Sequence, residues 1–155
     1  MIPVYLDTSC AVRLFLTERQ EKGCDKQNER LRELKDVAFV ASSLLLLEWQ
    51  SAFRSKARKG DIPQGDFEVL QAAWADFSLR RIRFSPLDDT VIQAATDLLR
   101  TSKASGRIRS LDCIHFTTFL EIKLVYPEAI LFSADSGMCE LAREAKAPYF
   151  NPLEC

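Results

Sequence analysis

The sequence lacks the features that would place it in several common classes. No apolar run approaches the roughly 18 residues that suggest a membrane span. The first residues have neither the basic stretch nor the small-residue cleavage site of a signal peptide. No Cys-x-x-Cys pair occurs, and the five cysteines (Cys10, Cys24, Cys113, Cys139, Cys155) are odd in number and scattered. That pattern argues against a zinc site or a disulfide framework and for reduced, mostly buried thiols, as expected of a cytoplasmic protein. Excess positive charge is missing too. Lys and Arg number 21 against 22 Asp and Glu, a net charge of −1. This excludes a strongly basic wrapper of nucleic acid but not an enzyme that uses a local basic patch. With no internal repeat, low-complexity tract or linker, residues 1–155 are expected to form a single domain.

What is present is an alternation of short apolar runs with helical segments. Hydrophobic residues make up 47% of the chain and charged residues 28%, enough of each for a globular core. The runs at 4–6, 37–41, 82–84 and 129–132 read as strands, with 149–150 as an edge strand. Between them, helices are expected over 11–16, in the second half of the charge-dense stretch 17–36 after Gly23, and over 44–58 behind Ser42 and Ser43. Further helices are expected from 64 to about 79, over 90–99, from 111 to about 124, and over 138–145, with a break at 104–106. The pattern indicates an α/β, three-layer α/β/α fold around a central parallel sheet of four or five strands.

Four acids stand out within that frame. The first strand stops at Asp7, followed by Thr8 and Ser9, which puts a carboxylate at a strand's carboxyl end, where open α/β sheets bind ligands. Asp135 repeats the arrangement after the fourth strand. Either aspartate, or Ser9, could instead simply cap the next helix. At about 100° per residue, Glu48 falls opposite the polar arc of Gln50, Arg54 and Arg58 and among Leu44, Leu45, Ser51 and Ala52, although Leu47 falls in the polar arc. A glutamate on a packed face needs a partner or a cation. Asp112 likewise faces Phe116 and Phe119, while Thr117 and Glu121 point away; as a first-turn acid it is also favoured by the helix dipole.

Acids gathered on one edge repel by roughly 4 kcal/mol per pair at about 4 Å and an effective dielectric near 20. They persist together only if some are protonated or a cation lies among them. Oxygen ligands without nearby His or Cys select hard ions, Mg²⁺ or Mn²⁺, and one or two such ions suit phosphodiester hydrolysis by a metal-activated water. No side-chain nucleophile is then required, which suits a chain without an obvious one.

Tyr5-Leu6-Asp7-Thr8-Ser9, the stretch from Ser43 to Glu48, Leu111-Asp112-Cys113-Ile114 and Leu131-Phe132-Ser133-Ala134-Asp135 together resemble the PIN-domain ribonucleases, in particular the toxin of VapBC toxin–antitoxin systems. The resemblance spans nearly the whole chain. It implies Mg²⁺- or Mn²⁺-dependent cleavage of single-stranded regions of RNA, a homodimer, and silencing by a cognate antitoxin whose C-terminal segment enters a groove leading to the acids. By position, Asp7, Glu48, Asp112 and Asp135 would be the catalytic and metal-binding acids, with Ser9 and Ser133 as supporting hydroxyls. Two departures stand out: Gly137 occupies a position where many relatives carry a further aspartate, and Phe116-Thr117-Thr118-Phe119 replaces small alanines.

Among the remaining residues, Arg107 and Arg109 directly precede Asp112 and are candidates for RNA phosphate contacts. The basic clusters at 56–59 and 80–83 read equally well as solvated surface. His115, the sole histidine, reads as a packing residue, because the chemistry needs no imidazole. Cys10 and Cys113 read as buried thiols near the site, and Trp49 and Trp74 as core or interface aromatics. The alternatives to a nuclease are a non-catalytic PIN-like module binding RNA or protein, and phosphotransfer through Asp7. The latter would want a second aspartate where the chain has Ser9.

Overall fold

A computed structural model describes residues 1–104 and 106–154. Ser105, part of the expected break, and Cys155, one of the five thiols, lie outside the described residues. Five strands, β1 (Ile2–Leu6), β2 (Val37–Ser42), β3 (Ile82–Ser85), β4 (Ile130–Phe132) and β5 (Tyr149–Phe150), form one sheet in the order β3-β2-β1-β4-β5. Every pairing is parallel. The helices are α1 (Thr8–Arg13), α2 (Cys24–Leu34), α3 (Leu44–Arg58), α4 (Gln64–Arg81), α5 (Asp89–Thr101), α6 (Ser110–Val125) and α7 (Ser136–Glu144). The expected elements are all present, and β5 is the expected edge strand.

Strand periodicity of two sorts the core into two layers. Val4, Leu6, Phe39, Ala41 and Phe132 point to one face, where they meet residues of α1, α3 and α4. Tyr5, Val40 and Leu131 point to the other and pack against Phe116 and Phe119 of α6 and Leu141 of α7. Each strand is therefore apolar on both faces, as a sheet covered on both sides requires. On the first face Trp49 stacks between Phe53, at 4.4 Å, and Trp74, at 4.5 Å, so both tryptophans belong to the core.

Two helices differ from the expected pattern for identifiable reasons. Helix α1 begins at Thr8 rather than Ala11, because the Asp7 carboxylate accepts the Thr8 N–H and caps it at once. Helix α6 is buried on nearly all sides, Thr117 included, since it lies between the sheet and α5. Its wheel therefore does not separate a packed face from a wet one as expected. At the start of α3 the Ser42 hydroxyl accepts the Leu44 N–H, whereas Ser43 accepts from Leu87 and ties the helix to the segment after β3.

The four described thiols, Cys10, Cys24, Cys113 and Cys139, are buried and unpaired. Burial pushes all four upward, Cys24 and Cys139 to about 11, so none is a ready nucleophile at neutral pH. Among the described residues no helix is long and apolar enough to cross a membrane.

The aromatic stack sets the stability of the first layer. Trp49→Ala is expected to destabilise the domain by about 3–5 kcal/mol, read from urea unfolding.

Candidate functional site

Because the sheet is parallel, the ends of β1, β2 and β4 share one edge. Chain direction splits there: β1 leads into α1 on one face and β4 into α7 on the other. A crevice between adjacent strands whose helices diverge is the usual ligand position in such sheets. Asp7 and Asp135 sit on either side of it.

Asp7 is buried and fully engaged. Its Oδ2 accepts from Ser9 Oγ at 2.8 Å and from Ser133 Oγ at 2.7 Å, and its Oδ1 accepts the Thr8 N–H at 2.7 Å. The two hydroxyls are themselves held: Ser9 Oγ accepts from Ala134 N–H at 2.9 Å and Ser133 Oγ from Asp135 N–H at 3.1 Å. Asp135 caps α7 through the Met138 N–H at 3.0 Å. For both aspartates the cap and the position at the sheet edge are compatible. Capping uses one carboxylate oxygen and leaves the other directed elsewhere.

Asp112 stands in the first turn of α6, where its Oδ2 accepts the Arg109 N–H at 2.9 Å. Arg109 is the cation of the site. Its Nη2 donates to Asp135 Oδ2 at 3.0 Å, and its Nε lies 3.4 Å from Asp112 Oδ2, so one guanidinium joins carboxylates from two helices. Its side chain is nonetheless 60% exposed. Burial raises the Asp112 carboxyl and the charge of Asp135 adds to that, so the nearby Arg109 compensates only in part.

Glu48, half-buried in the second turn of α3, accepts on Oε1 from Thr8 Oγ1 at 3.0 Å and contacts His115 Nε2 through the same oxygen. Burial opposes its charge, but the hydrogen bond and charge of His115 outweigh this and lower its carboxyl overall. For His115 burial disfavours protonation, yet the Glu48 hydrogen bond and the charges of Asp7, Glu48 and Asp112 push it up. The imidazole thus senses three of the four acids at once. The surroundings of Glu48 differ from the helical wheel in detail: Ser51 is exposed, and so are Leu46 and Leu47.

Arg109 thus joins Asp112 to Asp135, while His115 and Thr8, the neighbour of Asp7, hold Glu48. Among the described residues, no three acids, histidines or cysteines stand close enough to hold a metal ion together. The donor set still fits a hard cation. It is all carboxylate oxygen, the ligand type that hard ions such as Mg²⁺ and Mn²⁺ prefer.

No family model and no curated protein matches the sequence. Among solved structures, the chain is similar to VapBC2 from Rickettsia felis, determined bound to a DNA fragment from its promoter. The TM-score is 0.60 over 97% of this chain and 98% of that one, with 18% sequence identity. The fold is PIN-like.

Within this PIN-like frame, Gly137 is a place where a side chain does not fit. A Cβ there would stand 2.8 Å from the Arg107 carbonyl oxygen and 3.1 Å from Asp135 Oδ1. The exposed Arg107 thus brings its backbone against the start of α7. A cavity of about 280 Å³ opens beside the acids, lined in part by Thr8, Ser9, Asp135 and Lys56, so Lys56 is the member of the 56–59 cluster that reaches the rim. Arg80, Arg81 and Arg83 lie away from the acids, around a separate groove of about 970 Å³ that also includes Met1 and Pro3. Sequence reasoning passed over Thr8, Tyr5 and the contact role of His115. The only available signal was that Thr8 adjoins Asp7 and that His115 lies one turn beyond Asp112.

Asp112 yields a prediction with a definite sign. A carboxyl raised in the folded state lowers stability once pH passes the usual carboxylate range, and the penalty vanishes in acid. Asp112→Asn, which can still accept the Arg109 N–H, should raise the metal-free melting temperature by about 2–4 °C at pH 7. The gain should shrink toward zero below about pH 4 in a thermal melt series. Gly137→Asp should instead lower stability by about 1–3 kcal/mol in denaturant titrations, because the Arg107 backbone must move.

Proposed function

We propose that the chain is a metal-dependent endoribonuclease that cleaves single-stranded regions of RNA, and that it is the toxin of a type II toxin–antitoxin pair. The observation that carries this reading is that Asp7 and Asp135 follow the adjacent strands β1 and β4, while one exposed guanidinium ties Asp135 to Asp112. Likeness of fold to VapBC2 supports it.

Asp7, Glu48, Asp112 and Asp135 would hold one or two Mg²⁺ or Mn²⁺ ions. Such an ion, when bound, supplies an acidified water and charge stabilisation for a phosphodiester. The rest of the work falls to the chain itself. Ser9, Ser133 and the Thr8 N–H keep the Asp7 carboxylate in one orientation. Thr8 and His115 do the same for Glu48. Arg109, exposed and held only by acids a metal would engage, becomes available to a substrate phosphate, with Arg107 beside it as a second contact. Lys56, paired with Glu21 at the cavity rim, is a further cation within reach of this edge.

An antitoxin would act by covering this edge. The exposed Leu46 and Leu47 on α3 support a homodimer or another protein contact nearby. We place the protein in the cytoplasm on this reading. The Arg109 bridge also favours a second reading, a non-catalytic PIN-like module that binds RNA or protein while Arg109 satisfies its own acids.

Cleavage of a labelled RNA panel with Mg²⁺ or Mn²⁺ separates the two. The nuclease reading expects metal-dependent cutting that stops on chelation and falls to background in Asp7→Asn. Equal cutting by both proteins would remove Asp7 from the site, and RNA binding without any cutting would favour the module.

A further inference from the structure

The geometry points to His115 as a positioning residue for Glu48, the orienting member of a buried chain that runs from the β2 backbone through Tyr5 to the glutamate. This inference rests on the nuclease reading above. Tyr5 and His115 are both buried, at 0% and 1% exposure, and neither can touch substrate. Ser42 N–H donates to Tyr5 Oη at 3.2 Å, and Tyr5 Oη lies 2.8 Å from His115 Nδ1. On the opposite side of the ring, Nε2 meets Glu48 Oε1.

Proton bookkeeping gives the chain a direction. In the neutral imidazole the Tyr5 hydroxyl, whose oxygen accepts from Ser42, donates to Nδ1. With Nδ1 accepting, the imidazole proton sits on Nε2 and is donated to Glu48. An ionised carboxylate has no proton of its own, so the contact requires this arrangement. Thr8 Oγ1 loads the same oxygen from the other direction at 3.0 Å. Two donors hold Oε1, while among the described residues Oε2 accepts no hydrogen bond.

The chain of contacts draws on four elements. Tyr5 belongs to β1, Ser42 to β2, His115 to α6 and Glu48 to α3. Tyr5 stands two residues before Asp7 and His115 three after Asp112, so the same two side chains that hold Glu48 are covalently close to two other acids. Outer partners of ligating groups commonly change metal affinity or activity by 10–100-fold when removed.

Because His115 is the sole histidine, selective ¹⁵N labelling of tag-free protein reports its two nitrogens without overlap. The spectrum at pH 7 should show Nε2 protonated. Mn²⁺ titration should give affinity about 10–100-fold weaker for His115→Leu, with kcat falling and KM for RNA little changed. His115→Gln, whose amide nitrogen reaches the place of Nε2, should recover most of both, and Tyr5→Phe should lie between. Thermal melts identify any variant that fails to fold; if His115→Leu does, the Gln and Phe variants and the spectrum decide. The proposal is overturned by a bare Nε2, by a folded His115→Leu that binds Mn²⁺ like wild type, or by His115→Gln behaving no better than His115→Leu. Wild-type protein that neither binds Mn²⁺ nor cuts RNA would defeat the nuclease reading and this inference with it. Active wild type beside equally active His115→Leu would defeat this inference alone.

Discussion

The Asp7 carboxylate is the interaction on which the site is built. Three donors from two strand ends converge on it: the Thr8 N–H and Ser9 hydroxyl after β1, and the Ser133 hydroxyl after β4. Because Ser9 and Ser133 also accept from Ala134 and Asp135 N–H groups, the ends of β1 and β4 are sewn together at the point where their helices part. A buried charge satisfied by this many donors is stable without a counter-charge in direct contact. That allows the other acids to approach from α3, α6 and α7 without the crevice opening.

Charge is balanced unevenly around this anchor. Glu48 is held low by His115, whereas Asp112 is raised by burial and by Asp135 despite the Arg109 N–H and guanidinium. Neighbouring carboxylates with opposite shifts are a mark of sites that handle cations or protons. The two partners differ in kind: His115 is buried and held from both sides of its ring, while Arg109 is an exposed side chain paired with Asp112 and Asp135. The site is therefore rigid where it meets the core and adjustable where it meets solvent.

Much of the fold was legible from periodicity, since short apolar runs and intervening helices differ in spacing and the strands are covered on both faces. Asp7 and Asp135 were legible for the same reason, as carboxylates ending two such runs. Glu48 was placed on the correct side of α3, though its supposed neighbour Ser51 is exposed and Leu47 is bare. For Asp112 the wheel discriminated less than expected, because α6 is enclosed on nearly every side and Thr117 is buried with the rest. The cap of α6 was hidden as well: Asp112 accepts the Arg109 N–H, but the N-cap arginine, a donor only, cannot return the bond as a serine or threonine would.

The sequence by itself determined the element order, the parallel sheet and the four acids, because each depends on local spacing or on a residue's place at a strand or helix end. Tertiary structure alone decided which donors those acids meet. Tyr5, Ser42, Glu48 and His115 are up to 110 positions apart, and Asp7 and Ser133 are 126 apart. No local pattern encodes contacts of that span; they arise only when strand order brings β1 between β2 and β4 and α6 across the sheet. The same packing closes the space at Gly137, where the Arg107 carbonyl leaves no room for a side chain.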